Sequence, residues 1–125
     1  MALYLTRAQY STMAFKGMVT TPSDRGAAAR ALFDAIGIKT HSIYFSVTSG
    51  EVVTIIEGTA DQMAEVEMVV MSSGAFSGIN SIELVTMEQM NAAMSNAGKT
   101  VAKDLAAGKE ERCRRNRLNC RHQSP

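Results

Sequence analysis

The block from Ile38 to Glu57 constrains this chain more than any other stretch. Its halves, Ile38–Val47 and Glu51–Glu57, are dominated by β-branched and aromatic residues. Between them Ser49-Gly50 suits a two-residue turn, with positive φ at the glycine. A hairpin is therefore expected, and it lies between two helix signals. Upstream, Thr21-Pro22-Ser23-Asp24 supplies an N-cap, a proline for the first helical position and an acid, and Gly37 stops the helix after Ile36. Downstream, Thr59-Ala60-Asp61-Gln62 is a capping box that opens a helix running to about Met71.

The flanks complete the pattern. Leu3 and Leu5 alternate with Tyr4 and Thr6, so Ala2–Gln9 reads as the first strand. Ser11–Thr20, with Gly17 in its middle, reads as a loop or one irregular helical turn. Ser72-Ser73-Gly74 to Gly78 is a glycine- and serine-rich break, and Asn80–Val85 is the fourth strand. Thr86-Met87-Glu88-Gln89 is a second capping box, starting a helix with Met87, Met90, Met94, Ala97, Val101 and Leu105 at helical spacing. The order β-α-β-β-α-β, with a C-terminal helix added, is that of an α+β, ferredoxin-like split βαβ domain.

Such a sheet has helices on one face and none on the other. The Ser49-Gly50 turn predicts Val47 opposite Val52, Phe45 opposite Thr54 and Ile43 opposite Ile56, an apolar set for the helix side. The second face then carries Ser42, Tyr44 and Ser46 against Val53, Ile55 and Glu57. A solvated face more often displays Lys, Glu and Arg. This mixture of hydroxyl and aliphatic groups is suited to burial against another sheet, so a homo-oligomer is expected, with a ligand cavity in or beside the interface as the second reading.

At 125 residues the chain is sized for one domain, expected over 1–108 with the C-terminal helix included. That part holds seven Lys/Arg and ten Asp/Glu, net −3, whereas 109–125 holds six Lys/Arg and two Glu, net +4. The basic end, with Cys113, Cys120 and His122, reads as a solvated, disordered tail. It lacks aromatic residues for base stacking, which argues against nucleic-acid binding, and its spacing suits no familiar zinc site. No apolar run approaches the roughly 18 residues that span a bilayer, so no membrane partner is expected. The start, MALYLTRAQY, lacks the basic and long apolar segments of a secretory signal, which makes a cytoplasmic location the expectation.

Candidate ligand-binding residues are few. His41 is a possible base or ligand, although a strand-end histidine is more often simply exposed. Tyr4 and Tyr44 suit hydrogen bonding to a carbonyl, and equally suit an interface. Arg7 is able to hold an anion, but a salt bridge with Glu51, Glu57 or Glu83 is the commoner fate. Glu51, at the hairpin tip, is a carboxylate that ordinarily faces water. No second His or Cys accompanies His41 in the body, so no metal site or cofactor is expected. Methionine is adaptable core at this spacing, and the Ser72–Gly78 stretch lacks the preceding strand and the lysine of a phosphate loop. No Ser-His-Asp or Cys-His set can be assembled, and catalytic residues stay unassigned.

From Ala2 to about Met94 the chain resembles the GYD domain family, which is related to the dimeric α+β barrels. The likeness lies in the strand Leu3–Tyr10, the Pro22-Ser23-Asp24-Arg25 helix start with its Gly37 stop, the hairpin Ile43–Val47 and Val52–Glu57, and the strand Ile82–Thr86. The namesake Gly-x-Tyr-Asp motif falls on Thr48-Ser49-Gly50-Glu51, where the glycine and tyrosine are absent and Glu51 replaces the acid. The resemblance implies a dimeric α+β barrel and a small-molecule ligand or an accessory role. The alternative it implies is a cofactor-independent enzyme of monooxygenase or isomerase type, with its site in the barrel.

Overall fold

The computed structural model describes residues 1–115. Its elements follow in the order β1 (Ala2–Tyr10), α1 (Thr12–Thr20), α2 (Arg25–Ile36), β2 (Lys39–Ser46), β3 (Glu51–Gly58), α3 (Ala60–Ser72), β4 (Phe76–Leu84) and α4 (Met87–Arg115). The strands pair antiparallel in the order β2-β3-β1-β4, the ferredoxin-like arrangement. Met1–Val85 form one compact unit, and the residues from Thr86 on form another. Among the described residues no helix is long and apolar enough to cross a membrane.

Local chemistry explains the boundaries. Asp24, not Thr21, caps α2: its carboxylate accepts from the Ala27 amide at 3.0 Å. Gly37 takes φ 87° just past the last turn, and Ile38 N–H bonds back to the Phe33 carbonyl at 2.8 Å. Phe33 and Ile38 are both in the core, so the helix stop also delivers two core side chains. Both capping boxes form, Thr59 with Gln62 and Thr86 with Gln89. One expectation is corrected: the stretch read as a loop or one irregular helical turn holds a nine-residue helix, Thr12–Thr20, which the Ser11 hydroxyl caps by accepting from Ala14 N–H.

The hairpin also differs from the two-residue turn expected. Residues 47–50 form the connection, closed by Gly50 N–H on the Ser46 carbonyl at 2.8 Å, with Gly50 at φ 70°. Phe45 therefore faces Val52, and Ile43 faces Thr54. The pairing has slipped by two residues, not one, so Ser42–Ser46 keep their expected faces, while Val47 leaves the strand for the connection. A bulge at His41 then switches the inward positions from Ile43 and Phe45 to Thr40 and Ile38.

The core is Phe33, Ile38, Ile56, Met63, Val66 and Val70, with Tyr4, Leu32, Ile43 and Ile79 packed against it. It lies between α2, α3 and one sheet face. The other face carries Leu3, Leu5, Val53, Ile55, Ile82 and Leu84 in neighbouring rows. The last helix continues past Gly108 to Arg115, and the remainder of the tail anticipated over 109–125 lies outside the described residues.

Candidate functional site

A cleft of about 360 Å³ opens on the helix side of the sheet. Its floor comes from the ends of β1, β2 and β3, through Tyr10, Ile43, Phe45 and Val52. One wall is α1, which contributes Phe15 and Met18. The opposite wall is the first turn of α2, through Arg25 and Gly26. The Phe15 and Phe45 rings approach with centroids 6.3 Å apart and planes tilted by 32°. Tyr44, 70% exposed and by register on the opposite face of the edge strand β2, borders the mouth.

A second cavity of about 120 Å³ continues inward beneath α2 and shares Tyr10, Arg25 and Val52 with the first. Leu32, Phe33, Val66 and Val70 line it from the helices, and Thr6, Ala8 and Thr54 from the sheet. The Thr6 and Thr54 hydroxyls on its floor are spent on a hydrogen bond between the two. The volume of the outer cleft falls in the roughly 300–1,000 Å³ range of small-molecule sites, and its lining is mostly apolar and aromatic, as in such sites.

The residues singled out from sequence are dispersed. Tyr44 lines the cleft. Tyr4 points to the helix side and packs on the core. Arg7 and Glu51 come together on the opposite sheet face, Nη2 to Oε1 at 2.7 Å. That guanidinium hydrogen bond, with a further one from Ser49, holds the Glu51 carboxyl below its usual range. His41, released by the bulge, lies 3.5 Å from the Glu57 carboxylate, an ion pair whenever its imidazole is protonated. Among the described residues no group of three or more His, Cys, Asp or Glu side chains is placed to hold a metal ion.

Sequence reasoning missed Tyr10, Phe15, Met18 and Arg25 as site residues. All four line the cleft, and the wall that Phe15 and Met18 provide exists only because Thr12–Thr20 is helical; the Ser11 N-cap was the available signal. Arg25 entered only as part of a helix start. The ligand cavity had been expected beside the bare sheet face, whereas both cavities lie on the opposite side.

Compared with curated proteins and with solved structures, the chain has no match. The family model described as GYD domain matches residues 4–94, well over half of the chain, from within β1 to the first turns of α4, and the chain accordingly belongs to the GYD domain family.

Proposed function

We propose that this protein binds a small, largely apolar organic molecule in the cleft between α1, α2 and the sheet, and that copies associate through the bare sheet face. The observation that carries the first part is the cleft itself: aromatic walls, an open mouth and a continuation into the interior. The second part rests on the band Leu3, Leu5, Val53, Ile55, Ile82 and Leu84. Two of its flanking charges, Arg7 and Glu51, are tied to each other, so joining two such faces buries that couple as a neutral pair.

The reading as a cofactor-independent enzyme called for Arg7, His41 and Tyr44 in one cavity. Only Tyr44 lines the cleft, and the other two are engaged by carboxylates on the far face. Binding is therefore the reading adopted. Native mass spectrometry of protein purified from its own host tests it. A dimer or larger homo-oligomer retaining a small molecule is the expected result, and a bare monomer contradicts both parts.

A further inference from the structure

Arg25 is the one charged side chain in the walls of either cavity, and it borders both. No Asp or Glu lines them. Among the described residues its guanidinium makes no ion pair or side-chain hydrogen bond, while the neighbouring Asp24 carboxylate is engaged by the Ala27 amide. Arg25 and Gly26 are the first two residues of α2, so the positive end of that helix forms the same stretch of wall. The rest of the cleft lining is apolar or aromatic.

Resting on the cleft as the binding site, we infer that its ligand is an amphipathic monoanion, an apolar ring or chain bearing a single carboxylate or sulfonate that pairs with Arg25. A cation is disfavoured, because it would meet a like charge, and the adjacent acid, Asp24, is committed to capping α2. A dianion is disfavoured as well, since only one counter-charge is present. A guanidinium also suits a planar two-oxygen headgroup better than an ammonium does, because its fork donates two parallel hydrogen bonds. The apolar body lies along Tyr10, Phe15 and Phe45, and its far end reaches the inner cavity, where the paired Thr6 and Thr54 hydroxyls ask for nothing from a ligand.

The test uses two fluorescent probes that differ in one group: 1-anilinonaphthalene-8-sulfonate and its neutral parent, N-phenyl-1-naphthylamine. The full chain is expected to bind both. Arg25→Gln is expected to weaken the sulfonate about tenfold, the loss of one charge-assisted hydrogen-bonded contact, and to leave the neutral probe within about twofold. Arg25→Lys keeps most of the difference between the probes, and added salt weakens only the sulfonate. Phe45→Ala weakens both, which places them in the cleft. If Arg25→Gln leaves both affinities unchanged, or lowers both alike, the monoanion assignment is overturned while the cleft stands. If the unaltered chain binds neither probe, or Phe45→Ala affects neither, the cleft reading falls and the assignment with it.

Discussion

Gln62 engages three backbone groups in two helices. Its carboxamide oxygen accepts from Thr59 N–H at 2.8 Å, and its nitrogen donates to the Ile36 and Gly37 carbonyls at 3.3 Å each. It thereby closes the start of α3 and the end of α2 together. Gln62→Ala is expected to cost about 1–2 kcal/mol in urea unfolding, more than an isolated cap, because the part-buried Ile36 carbonyl at the end of α2 also loses its donor. Arg7 and Glu51 give a pH signature instead. A carboxyl held below its ordinary range stabilises the fold above its unfolded-state pKa and loses that contribution as pH falls through the lowered, folded one. Arg7→Gln should therefore lower the urea midpoint at neutral pH, and the difference from the parent should shrink to nothing in strong acid. A gap that persists unchanged at low pH would show that Arg7 acts through packing rather than charge.

Among the elements, the sheet face beneath the helices carries a polar row through an apolar layer. Ser81, Thr6 and Thr54 are in register across β4, β1 and β3, and Thr6 and Thr54 are both buried and bonded to each other. Replacing Thr54 by Val strands the Thr6 hydroxyl and is expected to cost about 1–3 kcal/mol. The double change Thr6→Val with Thr54→Val should recover a large part of that loss, and additive costs would contradict the pairing. What was legible in sequence at this level follows the same logic of local signals. Capping boxes at Thr59 and Thr86 and the glycine stop at Gly37 are short-range chemistry, and all three form as read. The slip in the β2–β3 pairing and the bulge at His41 are set by tertiary packing, since Ile38, Ile43 and Phe45 all reach the helix side only with the extra residue between them. The face assignment survived because a slip of two leaves alternation intact. The cleft was not legible, because α1 has no buried residue and its weakly patterned sequence hid the wall that Phe15 and Met18 provide.

For the protein in its entirety, the two sheet faces differ: one covers the core and holds the cleft, and the other is the face proposed to meet a second copy. A standard interface buries on the order of 1,600 Å² in total, and a four-stranded face with a central aliphatic band is the natural contributor. Leu5→Glu, in the middle strand of that band, is expected to dissociate the oligomer in sedimentation velocity while leaving far-ultraviolet circular dichroism unchanged. An assembly that keeps its mass would place the contact elsewhere. The most direct measurement is methyl and amide NMR of the full chain titrated with N-phenyl-1-naphthylamine. Shifts concentrated at Met18, Ile43, Phe45 and Val52, with the Leu3, Leu5 and Ile55 signals unmoved, are the result expected of a ligand seated between α1, α2 and the sheet. Shifts confined to Leu3, Leu5, Ile55 and Ile82 would put the molecule on the opposite face and contradict it.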